Sequence, residues 1–154
     1  CYRIIGVHHL TGDENRSKRN LYLEVVDTNG KRLKEKIEWG WQGQKPNEHP
    51  NPVTLDKPPH EPAGNISIDF GQKIWAQILG RNSDKVLGIT TQLPDDGPWN
   101  TLGHHSFFVT WCWIEGDVTP PAPPIPPDVD VYKQGFRDGV RAARNKVIEV
   151  LDKL

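Results

Sequence analysis

The sequence predicts an all-β sandwich of about eight antiparallel strands over residues 1–118, followed by a proline-rich linker and one C-terminal α-helix. Three observations predict this order: short runs of β-branched and aromatic residues between turn residues, a proline tract at 119–127, and helical spacing from 128 to 154. Regularly spaced short strands without helical segments between them are typical of sandwiches or small barrels, and they disfavour an α/β fold.

Length and charge limit the classes of protein that this chain can represent. Its 154 residues suffice for one ordinary domain, and the net charge of -1 lacks the basic excess of a dedicated nucleic-acid binder. No apolar run approaches the roughly 18 residues that a membrane-spanning helix needs. The chain begins at Cys1 and contains no methionine, so we expect a processed form or a piece of a longer protein.

Eight segments carry the strand pattern, with turn residues in the stretches between them. They are 2–10, 20–27, 33–41, 52–56, 65–70, 73–79, 85–92 and 106–114. Asn29-Gly30 is typical of a two-residue hairpin and predicts that 33–41 returns antiparallel to 20–27. Segment 106–114 is apolar on both sides, which predicts a central strand, and segment 2–10 has a similar pattern.

One antiparallel register between the first and last strands accounts for both cysteines and four histidines. In an antiparallel pair, the residue numbers of two directly opposed residues always add up to the same value. One such value fits three pairs of these residues. The opposed pairs are Cys1 with Cys112, His8 with His105, and His9 with His104. The register permits a Cys1–Cys112 disulfide, although a buried free thiol at Cys112 and a frayed Cys1 are slightly favoured.

The histidines favour a structural role over a metal site. Adjacent strand residues point to opposite faces, so each face receives only two imidazoles, fewer than zinc requires. Asp13, Glu14 or Asp95 could supply a third ligand, and Asp95 with Asp96 could join a calcium site, but the motifs of either metal are absent. No nucleophile elbow or phosphate-binding loop is present. We therefore expect no cofactor and no enzymatic activity.

The tryptophans indicate a ligand. Trp39 and Trp41 are two residues apart and share a strand face, while Trp99 lies in a predicted loop. Flat indoles beside amide side chains suit sugar rings, since the ring stacks and the amides bond hydroxyl groups. The predicted ligand-binding residues are Trp41, Trp99, Trp39, Gln42, Gln44 and Asn100. Trp75, Trp111 and Trp113 are expected in the core.

The C-terminal segment predicts association. Its apolar residues follow a heptad, a spacing that forms a coiled-coil seam or a stripe for docking onto another protein. The seam residues are Phe136, Val140, Ala143, Val147, Val150 and Leu154. A lone helix of this length is marginal in water, so we expect self-association or docking in a larger assembly, with folding back onto the sandwich as the alternative.

Residues 2–116, with the loop 54–58 (TLDKP) and the segment 103–107 (GHHSF), resemble β-sandwich accessory modules of bacterial or phage extracellular proteins. The resemblance is to a general type and covers no diagnostic motif of a named family. It implies binding to carbohydrate or to other virion or cell-surface proteins. We expect a non-catalytic binding or adhesion module, extracellular or on a virion. The alternatives are a structural subunit of a virion, tail or filament, and a hydrolase or metal site at the histidines.

Overall fold

The computed structural model of the protein describes residues 1–116. The predicted linker at 119–127 and helix at 128–154 lie outside the described residues. The described elements are β1 (Tyr2–His9), α1 (Gly12–Asn15), β2 (Asn20–Val26), β3 (Lys36–Trp41), β4 (Val53–Thr54), β5 (Gly64–Ser67), β6 (Ile74–Ile78), β7 (Val86–Ile89) and β8 (Phe107–Trp113). Each of the eight predicted segments overlaps one strand, and β5 begins one residue before its segment, so the prediction of a β-rich fold is confirmed for residues 1–116.

The strands form two sheets of four. Sheet A has the order β1-β8-β2-β5 and sheet B the order β4-β3-β6-β7, an architecture compatible with a β-sandwich. The prediction of purely antiparallel strands is wrong at one pair, because β2 and β8 run parallel, with Leu21 opposite Phe107. A parallel pair needs a long connection, and here the whole of sheet B lies between β2 and β8 in the chain.

The two strands predicted to be central differ in position. β8 lies inside sheet A between β1 and β2, as predicted, whereas β1 lies at the edge. The apolar residues of β1 predicted a central strand, but part of this run faces outward, since Ile5 is 41% exposed. At this edge Tyr2 connects the two sheets: its N–H donates to Asn82 O at 2.9 Å, and its hydroxyl donates to Glu35 Oε1 at 2.5 Å. Burial, followed by this hydrogen bond, raises the pKa of Tyr2 to about 12.

β1 and β8 are antiparallel neighbours, as the register argument required, but the register itself is wrong. Tyr2 faces Trp113 and His9 faces Phe107, with a shift between Ile4 and Gly6 that marks a bulge. His8 and His9 therefore oppose Phe108 and Phe107 instead of His105 and His104. The bulge accounts for one residue of the error only, because Cys1 faces a position two residues beyond Cys112, whereas His9 faces one three residues beyond His104.

The register before the bulge also separates the cysteines. Cys1 pairs with Ile114, whose N–H donates to Cys1 O at 2.9 Å, and Arg3 lies opposite Cys112. Cys1 and Cys112 are thus diagonal neighbours, and such a spacing of about 7–8 Å between Cα atoms exceeds what a disulfide spans. Both are buried free thiols in this structure.

The short helix α1 is an element that the sequence analysis missed. Thr11 and Glu14 form a capping box: Glu14 N donates to Thr11 Oγ1 at 3.4 Å, and Thr11 N donates to Glu14 Oε2 at 2.7 Å. The helix ends at Arg16 in the left-handed region, with φ of 49°. One turn is too short to show helical periodicity, but Thr11-x-x-Glu14 is the signature of a helix start.

The predicted hairpin is only partly correct. The turn forms, with Gly30 at a φ of 77° and a bridge between Val26 and Arg32. Beyond the turn the chain leaves sheet A, and β3 pairs with β4 and β6 in sheet B. The dipeptide determines the turn, whereas burial of the next apolar strand determines the sheet that it joins.

The core lies between the two sheets, and one tryptophan belongs to it. Trp111 is fully buried, and its indole N–H donates to Asp84 O at 3.0 Å. The assignment of two others to the core is wrong: Trp113 is 37% exposed, and Trp75 is half-buried on the outward side of β6. Strand alternation explains Trp75, since its neighbours Ile74 and Ala76 face the core.

Candidate ligand-binding end of the sandwich

Most of the predicted site residues lie at one end of the two sheets. There β3 and β7 end and β6 begins in sheet B, while β1 and β5 end and β2 and β8 begin in sheet A. We call this the loop end and define it by the connecting segments 10–19, 42–52, 68–73 and 90–106. The two sheets are linked here by a backbone hydrogen bond from Gly103 N to Thr91 O at 2.8 Å.

Two buried asparagines join the loops of this end. Asn100 is fully buried; its Nδ2 donates to Leu10 O at 2.7 Å, and its Oδ1 accepts from Asn15 Nδ2 at 2.9 Å. Asn15 also donates to His104 O at 2.7 Å. Asn100 was predicted as a ligand contact, but its amide is enclosed and used within the protein. We therefore assign it to the support of the loop that carries Trp99.

The four histidines also lie at this end, in an arrangement that differs from the predicted one. His9 Nε2 contacts His105 Nδ1 at 2.9 Å, and the His9 ring stacks on Phe107 with centroids 4.9 Å apart. His8 and His104 are apart from this contact: His8 Nε2 meets Glu14 Oε2 at 2.8 Å, and His104 bonds to a neighbouring threonine. Within residues 1–116, no three histidine, cysteine or acidic side chains are grouped to hold a metal ion.

His105 is the buried member of the histidine contact, with no exposed surface. Burial lowers the pKa of its imidazole below the ordinary value of 6.5, because the protonated ring loses its hydration. Interaction with the Leu93 backbone and the carboxylates of Asp96 and Asp95 opposes this shift, and His104 adds to it. The ring is therefore neutral at neutral pH, and it can share a single proton with His9 across their contact.

We expect acid to destabilise the fold through His105. Its folded pKa lies below 6.5, so the unfolded chain binds more protons, and stability falls as pH is lowered through 6.5. In the variant His105→Asn, the dependence of the unfolding free energy on pH should become shallower by up to about 1.4 kcal/mol per pH unit in this range. Urea unfolding at several pH values measures it.

The matched control is His60→Gln, since His60 has a side chain that is 79% exposed. This control should keep the slope of the native protein. An unchanged slope in His105→Asn would show that His105 does not carry the effect.

An apolar patch is exposed at the loop end. Trp99, Phe70 and Leu102 are 49%, 63% and 57% exposed. Phe70 lies against Gly103, where an added Cβ would sit 3.0 Å from its ring. We name these three residues the apolar patch. Of these three residues, the sequence identified only Trp99 as exposed. Phe70 alternates with Asp69, a pattern that predicts an inward-facing strand residue, but β5 ends at Ser67, before Phe70.

The tryptophan pair of β3 lies at the margin of the core near the same end. The Trp39 and Trp41 rings are 6.0 Å apart and inclined by 48°, and both are half-buried. Trp39 Nε1 donates to Asn51 O at 3.1 Å, whereas the Trp41 indole N–H has no hydrogen-bond partner among residues 1–116. Of the two glutamines, Gln42 is exposed, and Gln44 is occupied by the Trp41 backbone and Glu48 O.

Among the predicted ligand-binding residues, Trp99 and Gln42 are therefore exposed, and Trp41 is half-buried. Such a surface can stack a flat or apolar group and donate hydrogen bonds. One acidic side chain of this end supports a loop, since Asp95 Oδ1 accepts from Leu102 N at 2.9 Å.

These observations define the class of the part that the structure describes: residues 1–116 are nearly all-β and form two four-stranded sheets, compatible with a β-sandwich. Comparisons with models of protein families, with curated proteins and with solved structures find no match. None of the helices in residues 1–116 has the length and apolar character to cross a membrane.

Proposed function

We propose that the protein is a non-catalytic binding module that holds a surface glycan at its loop end. The observation that carries the proposal is the exposure of Trp99, which is 49% exposed on a loop held by its own carbonyl and by the following residue, Asn100. Ser17 N donates to the Trp99 carbonyl at 3.2 Å, and the adjacent Asn100 is buried. A pre-positioned indole loses little conformational entropy when a sugar ring stacks on it.

The same end of the two sheets carries other groups that suit a sugar. Trp41 lies at the same end with its N–H unpartnered among the described residues, and Gln42 is exposed beside it. Indole faces stack on the C–H face of a sugar, while N–H and amide groups bond its hydroxyls. Trp39 supports Trp41 by ring contact instead of offering its own N–H.

A second candidate function is that of a structural subunit whose partners are other protein chains of a virion, tail or filament. The observation that favours it is the exposure of Phe70 and Leu102, which cannot bond sugar hydroxyls but suit a protein interface. Both functions are compatible with the proposed association through the C-terminal heptad residues, which are Phe136, Val140, Ala143, Val147, Val150 and Leu154. An extracellular or virion-surface location is proposed with both.

Trp99→Ala should weaken glycan binding by about tenfold or more, since an exposed aromatic anchor of this kind commonly dominates a small interface. A glycan array identifies the ligand, and calorimetry measures its affinity for the native and variant proteins. Trp113→Ala is the matched control, because Trp113 is 37% exposed at the opposite end of β8.

The thermal midpoint of Trp99→Ala should stay close to that of the native protein, which separates lost binding from lost folding. Unchanged binding in both Trp99→Ala and Trp41→Ala would overturn the proposal. An array without ligands, together with oligomers in light scattering that dissociate in Phe70→Ser and Leu102→Ser, would favour the structural subunit instead.

A further inference from the structure

The outward face of sheet B carries a second aromatic group surrounded by polar and basic side chains. Residues of β3 and β6 that alternate with the core positions point to this side. The face comprises Lys36, Glu38, Gly40, Lys73, Trp75, Gln77 and Lys85. We call it the Trp75 face, and none of its residues belongs to the apolar patch of the loop end.

Gly40 makes room for the aromatic group. It lies directly opposite Trp75 in the β3–β6 register, and a Cβ at this position would meet Trp75 Nε1 at 2.8 Å and Gln44 Oε1 at 2.1 Å. No side chain is compatible with those distances. The indole and the Gln44 amide therefore lie close to the sheet surface above Gly40, where a half-buried ring forms a floor for a ligand.

A cation and an amide stand beside this floor. Lys85 Nζ lies 3.7 Å from the centre of the Trp75 ring, and one rung along the sheet Gln77 Nε2 donates to Glu38 Oε1 at 2.5 Å. An ammonium held over an indole is only partly hydrated, and it is attracted to any anion that reaches the ring. The Trp75 ring, the Lys85 ammonium group and the hydrogen-bonded Gln77–Glu38 pair are therefore neighbours on this face.

The charge of the face is opposite in sign to that of the chain. Three lysines, Lys36, Lys73 and Lys85, accompany a single glutamate, Glu38, whereas the whole chain has a net charge of -1. Lys36 lies opposite Leu79, because Leu79 N donates to Lys36 O at 2.8 Å. Leu79 and Lys73 are six positions apart along the chain, with β6 between them. At about 3.3 Å per residue the lysines span roughly 20 Å, which suits an elongated anionic ligand.

We propose that the Trp75 face is a second binding surface of the protein and that it takes an acidic polysaccharide. The indole stacks a sugar ring, Lys85 moves from the ring to the carboxylate or sulfate of that sugar, and Lys36 and Lys73 meet the groups further along the chain. A duplex nucleic acid would use the lysines alone, because its bases are not available for stacking on a flat face.

The test is calorimetry of the full chain with heparin fragments and with polygalacturonate, at low salt. Neutral dextran and double-stranded DNA are the reference ligands. We expect at least one acidic polysaccharide to bind, with Trp75→Ala and Lys85→Ala each weakening it about tenfold and Trp75→Phe retaining most of the affinity. Binding should weaken as salt rises, because part of it comes from exposed charges.

The variant Trp99→Ala should bind acidic polysaccharide as the native protein does, which separates this proposal from the site at the loop end. If neither acidic polysaccharide binds, or if DNA binds equally well and Trp75→Ala changes nothing, the proposal is wrong. If Trp75→Ala does not fold, the test uses Lys85→Ala and the double variant Lys36→Ala/Lys73→Ala. Unchanged affinity for acidic polysaccharide in both of these variants would overturn the proposal.

Discussion

Replacing Trp111 by alanine is expected to lower the free energy of unfolding by about 3–5 kcal/mol, the largest effect that we predict. Trp111 is fully buried in the central strand β8, where its removal leaves a cavity between the sheets. The substitution also removes the partner of a buried carbonyl, since the indole N–H donates to Asp84 O at 3.0 Å. Domains of this size have a total stability of about 5–15 kcal/mol, so the variant should be marginally folded.

Chemical denaturation followed by circular dichroism measures this loss, with Trp111→Phe as an intermediate that refills part of the cavity. Trp113→Ala is the matched control two residues further along the strand, because its ring is 37% exposed. A difference of less than about 1 kcal/mol between Trp111→Ala and Trp113→Ala would contradict the assignment of Trp111 to the core.

Strand positions were predictable because alternation and turn residues are local properties. β8 illustrates this, since apolar residues on both of its sides can only be satisfied inside a sheet, where the structure places it. The partners of a strand are a different matter. Asn29-Gly30 produced the expected turn, yet β3 pairs with β6 in the other sheet, where its Ile37 is fully buried in the core.

The register of β1 and β8 shows how a numerical coincidence misleads. The predicted pairing of the cysteines and histidines is wrong by two residues before the bulge between Ile4 and Gly6 and by three residues after it, so the bulge adds one residue to an error that is already present. A bulge has no reliable signature in sequence. His9 and His105 nevertheless meet, through ring contact at the strand end and not as opposed residues.

The candidate site was predictable to the extent that a loop tryptophan is exposed. Trp99 follows Gly97-Pro98, and the structure leaves it accessible. The neighbouring Asn100 seemed equally available because asparagine in a loop usually faces water. It is buried here since the Leu10 carbonyl and the Asn15 amide need partners, a demand that only the folded loops create.

Replacing Asn100 by alanine is expected to cost about 2–4 kcal/mol of stability, the second largest effect. Its amide satisfies Leu10 O at 2.7 Å and Asn15 Nδ2 at 2.9 Å in a fully buried position, and a buried polar group left unpaired costs about 1–3 kcal/mol. Urea unfolding measures the loss, and Asn47→Ala, at an exposed position of the 42–52 segment, is the matched control with an expected change within about 0.5 kcal/mol.

Because Asn100 holds the segment that carries Trp99, the same variant should weaken binding at the loop end even under conditions where it remains folded. Binding by Asn100→Ala should therefore fall toward that of Trp99→Ala, while binding of acidic polysaccharide at the Trp75 face persists. Stability within about 0.5 kcal/mol of the native protein would contradict the role of Asn100 as the support of the loops. Lost stability with full glycan affinity would instead show that Trp99 is positioned by other contacts, such as its carbonyl bond with Ser17 N at 3.2 Å.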